Sequence, residues 1–218
     1  MPLIAAFHDR TLTRARRARL PLQPAFTDEL YRWEHDYFLT HFLRPLPGCT
    51  PTLERIVRKE LTTVSNHLLN EPLVLVHRDL QSTNILFATD GPALIDYQGM
   101  RAGAAAYDLA SFLADPYVDL PANDQQALLT SYVSAGGAPE ALDAFTPACV
   151  QRLAQALGAY GKLGRTPGTE RFAAFVPPAL RQILRATAVC GTLPVLTKFL
   201  SDLPGDAFTA SEGHVRLP

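Results

Sequence analysis

A chain of 218 residues is long enough to bury a real core and to form one domain or two small ones. With 47% hydrophobic and 19% charged residues and a formal net charge of -1, it has the make-up of a globular protein and no general electrostatic attraction to nucleic acid or to an anionic membrane surface. Cys49, Cys149 and Cys190 are odd in number and widely spaced, which argues against a disulfide framework and a zinc site and fits a reducing cytoplasm.

The opening MPLIAAFHDR has no basic segment ahead of an apolar core, and no stretch approaches the ~18 unbroken apolar residues of a membrane span, so neither secretion nor membrane insertion is expected. Residues 1–26 read as an N-terminal linker or remnant. Within them Arg10, Arg14, Arg16, Arg17 and Arg19 form a basic run that either grips phosphates or makes a solvated helix face. From Thr27 the pattern sharpens: Thr27 caps, Asp28 and Glu29 suit a helix N-terminus, and Leu30, Trp33, Tyr37, Phe38 and Phe42 follow at helical spacing. A second amphipathic helix begins near Thr52, with Leu53, Ile56, Val57, Leu61, Val64, Leu68 and Leu69 in a stripe that Pro72 stops.

The period then changes. LVLV at 73–76, ILFA at 85–88 and ALID at 93–96 are short β-type runs, so HRDLQSTN at 77–84 lies in a loop between strands and Asp96 ends the strand after the turn TDGP. Beyond Asp96 the chain is helical again. Tyr107 to Ala114 is apolar, Asn123 with Gln126 resembles a capping box, and Thr146-Pro147 opens a helix that carries Val150, Leu153, Leu157 and Tyr160 and ends at Gly164. Pro177-Pro178 starts a last helical region that Pro194 interrupts. The expected architecture is α+β and predominantly helical, with a lobe at 27–203 around a small β element and a tail at 204–218.

Moving a phosphoryl group from ATP to a hydroxyl requires a carboxylate to orient and accept the hydroxyl proton, and oxygen ligands to hold magnesium against the phosphates. Asp79 suits the first task. Asn84 and Asp96 suit the second, because an amide oxygen and a carboxylate are both hard ligands, and the flanking strands would hold these groups in place. The plainer alternative makes Asp79 and Asn84 turn residues and His77 a core histidine.

HRDLQSTN resembles the catalytic loop shared by protein kinases and the aminoglycoside phosphotransferase and choline kinase superfamily. LIDYQG at 94–99 and YDLASFL at 107–113 resemble its small-molecule branch. FTDELYRWEHDYFLTHFL, LVHRDLQSTNIL, LIDYQGMRAGAAAYDLASFL and VQRLAQALGAYGKLG are similar in kind and order to bacterial kinases that phosphorylate N-acetylmuramate or N-acetylglucosamine at the anomeric hydroxyl in cell-wall recycling, over most of residues 26–190. The resemblance implies a cytoplasmic enzyme that uses ATP and Mg2+ on a small-molecule substrate, an amino sugar, with no nucleic-acid or membrane partner. It implies Asp79 as catalytic base with His77 bracing its loop, Asn84 and Asp96 as magnesium ligands that also engage the nucleotide, and Asp108 as a structural support of the loop. Asp108 read by itself is a helix cap before Leu109.

Two departures stand out. Gln98-Gly99 replaces the Gln-Asp usual in the sugar kinases, and Ala104 replaces a proline. Residues 1–47 contain no glycine, and the lysines are Lys59, Lys162 and Lys198, so the strands, Gly-rich cover and phosphate lysine of a nucleotide lobe are not in evidence. The expectation is a carboxy-terminal lobe, either completed by a separate N-terminal lobe or serving without phosphate transfer as a metabolite- or protein-binding module. An aminoglycoside acceptor is a further alternative. The acids Asp115, Asp119, Asp124, Glu140 and Asp143 are too scattered to form a pocket for a polycation.

Overall fold

The computed structural model describes residues 1–89 and 91–204 and the backbone of the strand pair β5 (Ala210–Ser211) and β6 (His214–Val215). Apart from Pro204 and that pair, the expected tail at 204–218 lies outside the described residues. In chain order the body comprises α1 (Pro2–His8), α2 (Thr11–Arg17), α3 (Asp28–Phe38), α4 (Pro51–Leu69), β1 (Leu73–Val76), β2 (Ile85–Ala88), β3 (Gly91–Leu94), β4 (Arg101–Ala104), α5 (Ala105–Leu113), α6 (Ala122–Ser134), α7 (Ala141–Leu163), α8 (Val176–Cys190) and α9 (Pro194–Ser201).

The strands form antiparallel pairs. β1 lies on β4 with Leu73 opposite Ala104 and Val76 opposite Arg101, and β2 lies on β3 with Ile85 opposite Leu94 and Ala88 opposite Gly91. β4, RAGA, is a strand that the sequence does not announce, since alanine and glycine are poor β-formers. It is held from both sides. The N-terminal segment runs along its outer edge, Gln23 N donating to Met100 O and Phe26 N to Ala102 O, each at 3.0 Å. A Cβ on Gly103 would stand 2.6 Å from the Phe26 ring, so glycine is what lets that ring cross the strand.

The stretch expected as a linker thus contains α1, α2 and a docked extended segment. Ile4 and Ala5 of α1 join the main core, and Leu12 and Ala15 of α2 pack on Leu75 and Ala102. The Thr27 cap forms, its hydroxyl accepting from Leu30 N at 3.3 Å. The buried face of α3 matches the predicted stripe only in part, through Phe38 and, beyond the helix, Phe42. Tyr31, Glu34, His35 and Phe38 point inward, while Trp33 is 52% exposed. Hydrophobic periodicity misplaces the face because an acid and an imidazole are buried on it, each with its own partners.

Helix α4 is capped by Thr50, whose hydroxyl accepts from Leu53 N at 3.2 Å, and buries Val57, Leu61, Val64 and Leu68 as expected. Asn123 does not cap α6. The helix starts at Ala122 after Pro121, and the buried side chain of that turn is Gln125, which donates to Leu113 O and Gln182 Oε1, each at 2.9 Å. Pro147 does not open α7 either. It sits in the second turn, where the missing N–H forfeits only the bond to Asp143 O, and the buried Ala141, Ala144, Phe145 and Ala148 carry the helix through. Helix α8 ends at Gly191, in the left-handed region at φ 66°, and Pro194 then opens α9. Helix α7 is the hub of the molecule, packing on α3, α4, α5 and α8.

Candidate active site

The HRDLQSTN loop leaves β1 and returns through a 3-10 turn at Ser82–Asn84 into β2. Helix α5 and the residues just after it grip the loop at three points, Asp108 and Ser111 one turn apart on α5 and Asp115 two residues beyond its end. The Asp108 carboxylate accepts from His77 N at 2.6 Å and from Arg78 N at 2.9 Å. The Ser111 hydroxyl donates to Arg78 O at 3.5 Å, and Asp115 accepts from Ser82 N at 2.8 Å. Arg78 is in the left-handed region at φ 76°, so the backbone bond to Asp108 also pins a conformation that arginine rarely adopts.

His77 is fully buried. Its Nε2 donates to Ile95 O at 2.9 Å, and Ile95 N in turn donates to Asn84 O at 3.0 Å. The imidazole therefore ties the start of the loop to the residue that precedes Asp96. Asp96 is exposed, two residues beyond the end of β3 rather than in the strand, with φ 64°, and its Oδ1 accepts from the Gln98 amide. Asn84 is buried. Its Nδ2 donates to Asp79 O at 2.8 Å and lies 3.5 Å from Asp79 Oδ2.

Asp79 is half-exposed and opens into a cavity of about 490 Å³, which Arg78, Gln81, Asp96, Gln98, Arg101 and Arg152 also line. Sequence reasoning brings Asp79 and Asp96 to this cavity, with Asn84 and His77 bracing its floor from behind. It misses Arg152. From the middle of α7 this buried guanidinium donates from Nη2 to Asp79 Oδ1 at 2.9 Å, from Nε to Ser111 Oγ at 2.8 Å, and from Nη1 to Gln155. With its amide oriented to suit both neighbours, Gln81 completes the arrangement, donating to Asp79 Oδ1 at 3.1 Å and accepting from Arg152 Nη2 at 3.0 Å.

Glu34 is a second residue that sequence reasoning misses. It is wholly buried and accepts from the Tyr107 hydroxyl at 3.1 Å, Gln151 Nε2 at 3.0 Å and Arg78 Nη2 at 3.4 Å. Burial pushes its carboxyl above the usual range, against the pull of the Arg78 guanidinium. The same Gln151 accepts from His35 Nε2 at 2.8 Å, and burial holds His35 below its ordinary value. A charge-reading look at α3 could have singled out Glu34 and His35 only by recognising that both fall on the face of Tyr31 and Phe38.

Electrostatically, the cavity carries three guanidinium groups, Arg78, Arg101 and Arg152, against the carboxylates of Asp79 and Asp96. Arg78 is matched by Glu34 and Arg152 by Asp79. Arg101 has no acid within salt-bridge distance among the described residues. It donates to Gly99 O at 3.2 Å and lies over the Phe26 ring at 5.4 Å.

Residues 4–145 match the phosphotransferase enzyme family. An N-acetylmuramate/N-acetylglucosamine kinase of Pseudomonas aeruginosa is 25% identical over 195 residues, which is 84% of this chain and 58% of that protein. Its counterpart in Neisseria meningitidis is 27% identical over 158 residues, 68% of this chain and 47% of that one, and the one in Pseudomonas putida is 27% identical over 173 residues, 73% and 51%. The chain spans about half the length of these relatives. In fold it is similar to LicA, solved in complex with AMP, with a TM-score of 0.56 at 13% identity over 85% of this chain and 60% of that one. A Plasmodium vivax ethanolamine kinase gives 0.53 at 17% identity over 84% and 56%. The predominantly helical, protein-kinase-like α+β fold expected from the sequence is the one found.

Proposed function

We propose, from the premise that this chain belongs to the phosphotransferase enzyme family, that it carries the acceptor-side machinery for ATP-dependent phosphorylation of a hydroxyl on a small molecule, an amino sugar. The observation that carries this reading is the placement of Asp79: its carboxylate faces an open cavity shared with Asp96, while a buried arginine and two braces fix its position.

In this reading Asp79 accepts the proton of the acceptor hydroxyl as the hydroxyl oxygen bonds to the terminal phosphorus of ATP and the bond to ADP breaks. Arg152 and Gln81 hold the carboxylate in the orientation that meets the hydroxyl. His77 and Asp108 keep the loop and the Asp96 segment in one frame. The donor set fits magnesium. Among the described residues, Asn84 commits its Nδ2 to Asp79 O and leaves Oδ1 without a protein donor, and Asp96 has one carboxylate oxygen unengaged by protein. One amide oxygen and one carboxylate suit an ion that usually keeps one or two protein ligands and takes the rest from phosphates and water. Bound there, magnesium would neutralise charge on the phosphates.

Support for the amino sugar comes from the sugar-kinase relatives and from the cavity itself. With its two acids set against three arginines, two of them paired, the lining has no acidic surplus for a polycation such as an aminoglycoside and suits a neutral or anionic acceptor. The test is ATP turnover on N-acetylglucosamine or N-acetylmuramate. Asp79→Asn is expected to lower it by ~10² or more, the scale of a lost proton acceptor. An undiminished rate in that variant overturns the assignment.

A further inference from the structure

The basic run of residues 10–19 is not a free arm. Helix α2 lays Leu12 and Ala15 against Leu75 and Ala102, and with its core face fixed in this way Thr13 and Arg16, one turn apart, line a second cavity of about 410 Å³. Its walls come from α1, α2, the start of β1 and the link between α6 and α7 at 136–138. It shares no lining residue with the cavity of Asp79.

Charge and polarity say what it takes. Arg10 and Arg16 line it against a single acid, Asp9. Asp9 stands 3.4 Å from Arg10 Nε, and with the two side chains 61% and 85% exposed the pair is too solvated to cancel the guanidinium. Arg16 has no acid within salt-bridge distance among the described residues, and neither have Arg14 and Arg17 on the outer side of the same helix, so the field at this face is positive. The floor is apolar. Leu73 and Val74 contribute to it, and Leu73 is 50% exposed. Two guanidinium forks and a hydroxyl over an apolar floor match a phosphate carried on a small organic body, and the volume is that of a small-molecule site rather than of a track for a polymer.

The cavity also reaches the HRDLQSTN loop. One wall is His8, 4% exposed, whose Nε2 lies 3.2 Å from Asp108 Oδ2 and whose Nδ1 lies 2.9 Å from the Tyr132 hydroxyl. That hydroxyl accepts from the amide of Ala138, another lining residue, at 3.3 Å. A group seated here therefore rests on the side chain that steadies Asp108, and Asp108 holds the His77 and Arg78 amides.

We propose that this cavity is an effector site for a phosphomonoester of a small organic molecule, and that its occupancy is felt at the HRDLQSTN loop through His8 and Asp108. The proposal requires nothing of the role given to Asp79.

Calorimetric titration of N-acetylglucosamine 1-phosphate, AMP and inorganic phosphate into the full chain and into its Arg16→Ala and Thr13→Val variants tests it, with hydrogen exchange of each complex locating the bound group. Both substituted side chains are exposed, so both variants keep the fold. At least one ester is expected to bind more tightly than inorganic phosphate, and which one identifies the source as a sugar or a nucleotide. Arg16→Ala should lower its affinity about tenfold or more, the scale of one lost hydrogen bond to a charged group, and Thr13→Val by less. Added salt should weaken binding. The bound ester should slow exchange at amides 11–17 and 136–138 and at those of His77 and Arg78. The proposal is overturned by any of four results: neither ester binds; inorganic phosphate binds as tightly as both, an adventitious ion only; wild type and Arg16→Ala bind the ester equally; or exchange at 11–17, or at His77 and Arg78, stays unchanged on saturation.

Discussion

The Asp79 carboxylate, the proposed proton acceptor, is held by a buried guanidinium, and the Asp79–Arg152 pair separates geometry from charge. Lysine at 152 would keep the charge but not the fork that serves Asp79, Ser111 and Gln155 together. Arg152→Met is expected to lower kcat by ~10², as misplacement of a reacting group does, and Arg152→Lys by less, with KM for ATP moving little in either; steady-state kinetics on the sugar checks both. His35 gives a pH prediction. Because burial depresses its pKa in the folded chain, the unfolded chain binds more protons below about pH 6.5, so stability is complete above that value and lost as pH falls through it. Urea midpoints of wild type should therefore drop faster between pH 7.5 and 5.5 than those of His35→Gln. The residues legible in the sequence, Asp79, Asn84, Asp96 and Asp108, share one property: their meaning lies in local spacing within a strand–loop–strand–helix run. Arg152 and Glu34 act on partners 73 and 44 positions away, a relation that no window on the chain contains.

Among the elements, α7 was expected from its apolar face, but its closeness to its neighbours was not. Ideal helix propensity favours alanine over glycine by ~1 kcal/mol. At Gly161, however, a Cβ would stand 2.2 Å from His41 O, a backbone atom that cannot swing aside. Steric conflict should win: Gly161→Ala is expected to destabilise by ~1–3 kcal/mol net, the range of overpacked cores, read by urea denaturation. The Thr27 cap was plain in the sequence, whereas the Thr50 cap was not, and removing either by alanine should cost about 1 kcal/mol. What the pattern could not place was β4 and the inward face of α3. Small residues carry little strand signal, and a helix face that buries Glu34 and His35 reads as polar until their partners are known.

The whole molecule is wired more tightly to its first residues than their composition implies. His8 of α1 is buried between Asp108, at 3.2 Å from its Nε2, and the Tyr132 hydroxyl of α6, at 2.9 Å from its Nδ1. One imidazole therefore joins the start of the chain, the support of the HRDLQSTN loop and a distant helix. His8→Leu leaves Asp108 short of one donor and Tyr132 of one partner, a loss of roughly 1–3 kcal/mol. Hydrogen exchange should report it as faster exchange at the His77 and Arg78 amides, while amides in the second half of α4 keep their protection. Fold class and the helical lobe were readable from the alternation of periods along the chain. The packing of residues 1–26 was not, because its anchors are one histidine and a strand-like edge rather than an apolar stripe.

The grip on the HRDLQSTN loop has a further consequence for how this gene can vary. Asp108 and Ser111 must keep their rotational phase about the axis of α5. Inserting or deleting one codon between 108 and 111 would turn the later anchor by about 100° and swing it off the loop. This segment can therefore drift in side-chain identity between its anchors, but its length is frozen.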